Sequence, residues 1–140
     1  IDDQDILEIG KANIVKAGED ITIISFSIGM KIVIQAAEIL LKEGINAEVI
    51  DLRTLKPLDK DTIISSVKKT SKCVIVEQGW SQSGIGSEIT AILMEEAFDY
   101  LDAPVLRVTG KDVPMPYAEN LEKLALPTVE DILDIVKKII

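Results

Sequence analysis

Residues 76–89 read VEQGWSQSGIGSEI, and this stretch decides which fold the chain is expected to adopt. It follows an apolar run at residues 73–76 and leads into a helical pattern, which is the order of a buried strand, a loop and a helix. Open α/β sheets usually hold their functional loops at the carboxyl ends of such strands. The glycines Gly79, Gly84 and Gly86 predict a backbone that turns tightly and approaches a neighbour closely. A loop that only joins strand to helix is the simpler interpretation.

On both sides of this stretch, short apolar runs alternate with helical patterns from Gly10 onward. That alternation predicts an α/β domain with a mainly parallel sheet. The first predicted strand lies at a sheet edge, and the second is rich in β-branched residues on both faces, as a buried parallel strand should be. The predicted strands cover residues 11–16, 21–26, 47–52, 72–77 and 104–109.

The helices between these strands are predicted from apolar residues at helical spacing and from residues that favour helix ends. Gly44 marks the end of the first helix, and Asp59 and Thr128 are suited to begin two others. The prolines of residues 109–127 predict a constrained loop, which is either a docking surface or a crossover spacer. The predicted apolar helix faces contain Met30, Val33, Ala37, Leu40, Leu41, Ile63, Ile64, Val67, Ile85, Ile89, Ile92, Leu93, Ala97, Ile132, Ile135, Val136 and Ile139.

Composition excludes several kinds of site. The chain has 140 residues, a net charge of −9 and no basic stripe, so nucleic-acid binding is not expected. Neither a signal peptide nor an apolar run of roughly 20 residues is present, so no membrane span is expected. The sequence has no histidine, which excludes a Ser-His-Asp or Cys-His site built from this chain alone. We predict no metal site, and we expect the single cysteine, Cys73, to be a small buried hydrophobe.

Five segments together resemble the carboxy-terminal domain of pyruvate dehydrogenase beta subunits, within the transketolase-like thiamine diphosphate enzymes. They are ITIISFSIGM (21–30), AEVIDLRTLKPLD (47–59), VEQGWSQSGIGSEI (76–89), FDYLDAPVLRVTGKDVPMPYA (98–118) and NLEKLALP (120–127). The resemblance implies a three-layer α/β/α fold around a five-stranded, mixed, mostly parallel sheet, with residues 11–16 as its antiparallel edge strand. It also implies that residues 1–9 are an acidic linker and that residues 10–140 are one domain of a longer subunit.

The activity implied by the resemblance is oxidative decarboxylation of pyruvate, with transfer of the acetyl unit to a lipoyl group for acetyl-CoA synthesis. In this family, thiamine diphosphate and its Mg are bound by regions outside this chain. The resemblance therefore assigns no catalytic, cofactor-binding or metal-binding residue here, and this chain alone is expected to be inactive. Glu77 and Glu88 are not assigned the role of the family's cofactor-activating glutamate, which belongs to the preceding domain.

The role that the resemblance implies for this domain is assembly of the enzyme complex. The implied partners are the alpha subunit, a second beta subunit and the subunit-binding domain of dihydrolipoyl acetyltransferase. Asp102 matches a family position that pairs with a basic residue of that binding domain, and the chain end at Ile140 is expected to contribute. The implied location is the bacterial cytoplasm, with the mitochondrial matrix as the alternative. The expected interface and loop residues are Glu77, Gly79, Trp80, Gly84, Gly86, Pro114, Met115, Pro116 and Tyr117.

Two other interpretations stay open. The same domain occurs in branched-chain 2-oxo acid dehydrogenases and other transketolase-like enzymes. Residues 112–117 (DVPMPY) resemble the pyruvate dehydrogenase version more than the versions in those enzymes. A free-standing nucleotide-binding module would instead use the Gly84–Gly86 loop at a helix N-terminus. Ser81 replaces a proline found in many relatives, and Ile28 stands where some have a positive charge. The serine predicts a less rigid loop, and the isoleucine predicts that any contact made by that positive charge is lost.

Overall fold

A computed structural model describes residues 7–140 of the chain. They form one five-stranded sheet with the strand order β1-β3-β2-β4-β5. β1 pairs with β3 in antiparallel orientation, and every other neighbouring pair is parallel. The predicted mixed sheet and its antiparallel edge strand are therefore confirmed. The strands are β1 (Asn13–Lys16), β2 (Ile21–Ser25), β3 (Ala47–Asp51), β4 (Cys73–Trp80) and β5 (Leu106–Gly110).

Helices cover both faces of this sheet and complete the predicted three layers. α1 and α5 pack on one face, and α2 and α3 pack on the other. A single 3-10 turn, Phe98–Tyr100, follows α3. The helices are α1 (Gly29–Lys42), α2 (Lys60–Thr70), α3 (Ile85–Glu96), α4 (Glu119–Ala125) and α5 (Val129–Val136).

The strands divide the core into two apolar layers because successive side chains point to opposite faces of a sheet. All five residues of β2 are buried. Ile21 and Ile23 lie in the layer under α1 and α5, whereas Ile24 lies in the layer under α2 and α3. For this reason, a central parallel strand needs apolar side chains on both of its faces, at odd and at even positions. The pattern of residues 21–26 predicted such a strand.

Three predicted helix ends are confirmed. Asp59 begins α2 by accepting a hydrogen bond from the Thr62 amide at 3.3 Å. Thr128 begins α5 in a reciprocal capping arrangement with Asp131. Gly44, at φ +88°, follows the end of α1 in the left-handed conformation that glycine tolerates best.

Other details differ from the sequence-based expectations. Leu41 was placed on the core face of α1, but its side chain is 51% exposed, because it lies at the margin of the buried stripe next to Leu40. β4 continues to Trp80, three residues beyond its predicted end, and pairs with Gly110 after an irregularity in register. The prolines of residues 109–127 predicted no long helix before Tyr117, and α4 begins after it, at Glu119.

The acidic linker expected at residues 1–9 falls largely outside the described residues, which include only its last three, all exposed. The boundary at Gly10 stays a prediction. Among residues 7–140, no helix is long and apolar enough to cross a membrane.

Candidate functional site

Glu77 is the centre of the strand-loop-helix stretch. It lies in β4, it is 4% exposed, and its side chain turns toward the first residues of α3. Its two carboxylate oxygens accept hydrogen bonds from the Ile85 amide at 3.1 Å and the Gly86 amide at 3.2 Å. The first amides of a helix have no partner within the helix, and a negative group there also interacts favourably with the helix dipole. Glu77 thus caps α3 from the preceding strand.

Two of the glycines make room for this carboxylate. A methyl group added to Gly84 would lie 2.5 Å from Glu77 Oε1, and one added to Gly86 would lie 2.8 Å from the same oxygen. The expected close approach is therefore present at both positions. It is wrong for Gly79, where an added methyl group would meet nothing closer than 3.9 Å and φ is not positive.

This cap also bears on the nucleotide-binding interpretation. A phosphate at a helix N-terminus needs amides that are free to donate to it. In this loop the amides of Ile85 and Gly86 already donate to Glu77, whose carboxylate occupies the place that a phosphate would take. The geometry of the loop thus favours a structural joint over a phosphate-binding loop.

Arg107, on β5, holds the outer part of the same loop. Its guanidinium donates to the Ser81 carbonyl at 2.7 Å and to the Ser87 hydroxyl at 2.6 Å. Sequence reasoning did not single out Arg107, although an arginine on a strand next to a glycine loop is a recognisable signal. Since Ser81 is held by Arg107, the loop has an anchor at the position where the resemblance led us to expect a proline.

A group of exposed apolar side chains lies beside this loop, at the carboxyl edge of the sheet. The Trp80 indole is 54% exposed and donates to the Val113 carbonyl at 3.2 Å, which ties β4 to the proline-containing loop. Met115 is 55% exposed, and Tyr117 is fully exposed. We call Trp80, Val113, Met115 and Tyr117 the carboxyl-edge surface. Pro114 and Pro116 lie between its members along the chain, and the hydrogen bond from Trp80 to Val113 joins this segment to β4.

The same edge holds several residues in an unusual backbone conformation. Ser27 follows β2, Arg53 follows β3 and Ser83 follows β4, and each has φ between 53° and 58°. Residues other than glycine seldom adopt positive φ, and such conformations concentrate at functional sites. Because residues after three consecutive strands share this conformation, the carboxyl edge is a candidate functional surface.

The opposite, amino edge of the sheet carries a cleft of about 420 Å³. Asp102 and Ile140, which the resemblance assigned to the same partner, both line it. The carboxylate of Asp102 is exposed, and its amide donates to the Ser71 carbonyl at 2.9 Å, which fixes the turn that presents it. We call this the amino-edge cleft, and its lining residues are Glu19, Asp20, Gly44, Ile45, Lys69, Thr70, Ser71, Lys72, Asp102 and Ile140.

An apolar pocket of about 360 Å³ adjoins this cleft and shares Asp102 with it. Its walls include Met94 and Phe98, which are 49% and 60% exposed, together with Pro104. Sequence analysis missed this pocket because Met94 lies off the buried stripe of α3 and Phe98 lies in the 3-10 turn that follows it. An acid beside an apolar recess can hold a partner that presents a basic group next to an apolar side chain.

The described residues include carboxylates and one thiol, whose placement bears on metal binding and on nucleophilic chemistry. Residues 7–140 contain no group of three or more acidic or cysteine side chains placed to hold a metal ion. Burial raises the pKa of the Cys73 thiol strongly, so this cysteine is a poor nucleophile, as expected for a small buried hydrophobe.

Comparison with known proteins supports the resemblance drawn from the five segments. Pyruvate dehydrogenase E1 component subunit beta is 59% identical in Rickettsia bellii and 56% identical in Rhizobium meliloti, over 95% and 98% of this chain. The mitochondrial protein of the same name from Dictyostelium discoideum is 54% identical over 99% of the chain. The chain spans 41%, 30% and 39%, respectively, of the lengths of these relatives.

Solved structures support the fold. A split-gene transketolase, described as an inactive beta4 tetramer, superposes with a TM-score of 0.83 at 32% identity, over 96% of this chain and 43% of that one. A 2-oxoglutarate:ferredoxin oxidoreductase from Magnetococcus marinus, at 17% identity, shares the fold with a TM-score of 0.62, over 96% of this chain and 20% of its own. Residues 10–132 match the family described as "Transketolase, C-terminal domain". The chain therefore belongs to the family of transketolase carboxy-terminal domains.

Proposed function

We propose that this chain is the assembly and docking domain of a pyruvate dehydrogenase beta subunit. The complete enzyme would oxidatively decarboxylate pyruvate and pass the acetyl unit to a lipoyl group, for acetyl-CoA synthesis. The observation that carries the docking role is that Asp102 and Ile140 line one cleft. Thiamine diphosphate with Mg would supply the carbon chemistry in the complete enzyme, and we assign no residue of this chain to hold it.

The docking partner is the subunit-binding domain of dihydrolipoyl acetyltransferase. Among the described residues, no lysine or arginine forms an ion pair with Asp102, so its exposed carboxylate is available to a basic side chain. Phe98 and Met94, in the adjoining pocket, supply the apolar contact that a stable interface needs at its centre. The remaining acids of the amino-edge cleft steer a basic partner toward this place.

Calorimetry with the recombinant subunit-binding domain tests this role. The Asp102→Asn variant should bind at least roughly tenfold more weakly, because truncating one partner of a buried charge pair costs about 2–5 kcal/mol. Asp99→Asn is the matched control, since Asp99 is also exposed but lines neither the cleft nor the pocket. Equal affinities of the two variants for the binding domain would reject Asp102 as a docking residue.

The carboxyl-edge surface is proposed to contact the alpha subunit and the second beta subunit. Its exposed tryptophan and tyrosine are the residue types that dominate interface energies, and the hydrogen bond between Trp80 and Val113 preorganises it. The name of the beta4 tetramer shows that a protein containing this fold assembles with copies of itself. Two opposite edges of one sheet would then bind two kinds of partner without competing for the same surface.

A crossover experiment distinguishes the two edges. In the beta subunit co-expressed with the alpha subunit, Tyr117→Ala should reduce tetramer formation but leave acetyltransferase binding unchanged. Phe98→Ala should do the reverse, because Phe98 lies at the amino edge. Both side chains are exposed, so neither change should unfold the domain. Loss of both kinds of binding in either variant would contradict the separation of roles.

The second candidate is the same role in a branched-chain 2-oxo acid dehydrogenase. The names of the three relatives described above, which specify pyruvate dehydrogenase, favour the first candidate. Activity of the complete enzyme on pyruvate against 2-oxoisovalerate decides between them. These relatives include bacterial and mitochondrial proteins, and of the two locations we propose the bacterial cytoplasm.

A further inference from the structure

Glu48 is a buried acid on β3 that the proposed docking role does not yet use. Its side chain is 1% exposed, and it forms an ion pair with Lys69 at the end of α2. One carboxylate oxygen also accepts a hydrogen bond from the Gly18 amide at 3.3 Å. Among residues 7–140, the other oxygen has no hydrogen-bond partner. Within the described part of the chain, Lys69 is thus the charged group that is paired with this buried acid.

The carboxylate of Glu48 stays charged despite its burial. Burial raises the pKa of Glu48, but the hydrogen bonds from Lys69 and Gly18 and the positive charge of Lys69 oppose that effect, and the pKa is lowered. A charge buried in this way is stable only while its partner stays in place. The ammonium of Lys69 is therefore retained at Glu48, although 45% of the lysine side chain is exposed.

Lys69 also lines the amino-edge cleft, so its position affects the charge of that cleft. Gly18, which touches the same Glu48 oxygen as Lys69, immediately precedes Glu19 and Asp20 in the cleft wall. In the absence of Glu48, these carboxylates are acids of the same cleft wall to which the ammonium of Lys69 can turn. The long, flexible stem of lysine makes such an exchange feasible.

We propose that Glu48 is a positioning residue for docking, which retains Lys69 and so keeps the cleft acids free for a basic partner. With Lys69 neutralised by Glu48, the side chains of the cleft wall carry the charges of Glu19, Asp20 and Asp102 against Lys72, a net side-chain charge of −2. Without Glu48, the ammonium of Lys69 reduces that charge to −1. This inference rests on the proposed docking role of Asp102.

Binding of the recombinant subunit-binding domain to the 140-residue chain tests the proposal in three proteins. Glu48→Gln keeps the size and an acceptor for Gly18 but releases Lys69, and it should weaken binding about 2- to 5-fold at low ionic strength. The double variant Glu48→Gln/Lys69→Gln removes the released charge and should restore affinity to that of the wild type or better. The difference between the variants should vanish in high salt.

Two results would overturn the proposal. One is a Glu48→Gln variant that binds as tightly as the wild type at low salt. The other is a double variant that binds no better than Glu48→Gln, since a merely structural role of Glu48 would not be rescued at Lys69. If the wild type itself does not bind the domain, the docking function fails instead, and the retention of Lys69 by Glu48 is then judged separately.

Nuclear magnetic resonance of the lysine ammonium groups provides that separate measurement and needs no variant that could fail to fold. The Lys69 ammonium should exchange its protons with water far more slowly than that of exposed Lys111, because Glu48 holds it. Equally fast exchange at both lysines would show that Lys69 is not retained, and the positioning role of Glu48 would be rejected.

Discussion

Replacing Glu77 by glutamine should destabilise the domain much more than the same change at Glu88. Both residues are acids near the start of α3, but Glu77 is 4% exposed and bonded to two amides, whereas Glu88 is exposed in the first turn. Each substitution replaces a carboxylate by its amide at nearly constant size. The comparison therefore isolates the hydrogen bonds of Glu77 from the general effect of an acid at a helix N-terminus.

The expected loss follows from these two bonds. Glutamine has one acceptor oxygen, so it can serve the Ile85 amide or the Gly86 amide but must turn its own amide group toward the other. A hydrogen bond to a charged group contributes about 1.5–3 kcal/mol, and leaving a buried donor unpaired costs about 1–3 kcal/mol. We expect Glu77→Gln to lower the free energy of unfolding by about 2–4 kcal/mol. Glu88→Gln, which changes only a dipole interaction, should lower it by less than about 1 kcal/mol.

Urea unfolding followed by circular dichroism measures the difference. With a urea dependence of about 2 kcal/mol per molar, in the middle of the typical range, the Glu77 variant should unfold at a midpoint roughly 1–2 M lower than the wild type. The Glu88 variant should stay close to the wild type. If both midpoints shift by the same small amount, the two amides of α3 do not depend on Glu77, and accommodating its carboxylate is not the reason for the glycines of the loop.

Two further predictions concern the same loop and the start of α2. Gly84→Ala should destabilise the domain by about 1–3 kcal/mol in thermal melts, because the added methyl group would lie 2.5 Å from Glu77 Oε1, whereas Gly79→Ala should change stability by less than about 0.5 kcal/mol. Burial raises the pKa of Asp59, but hydrogen bonds from Ala12 and Thr62 outweigh it, so the folded-state pKa is lowered. The stabilisation by Asp59 is therefore present above its ordinary pKa near 3.8 and lost as the pH falls through the lower folded-state value. Urea midpoints measured from pH 5 to pH 2 should fall less steeply for Asp59→Asn than for the wild type, and parallel curves would contradict this assignment.

Much of the fold was accessible from local patterns, because strand and helix periodicities and helix caps depend on residues close in the chain. Asp59 and Thr128 were recognised as caps since the groups they bond lie three residues away. The carboxyl-edge surface was partly predicted, as Trp80, Met115 and Tyr117 stood in motifs of the resemblance. Leu41 was misplaced because a stripe at helical spacing does not specify where its margin meets solvent.

Only the tertiary structure showed why Glu77, Gly84 and Gly86 occur together, because the fit of a carboxylate between two backbones depends on ångström distances that no spacing rule contains. It also brought Asp102 and Ile140 to one cleft, and it placed Lys69 between Glu48 and that cleft. By itself, the sequence determined the class of fold, the family resemblance and the absence of histidine chemistry. These properties follow from residue types and local periodicity, whereas binding surfaces arise where strand ends distant in the chain meet at one edge of a sheet.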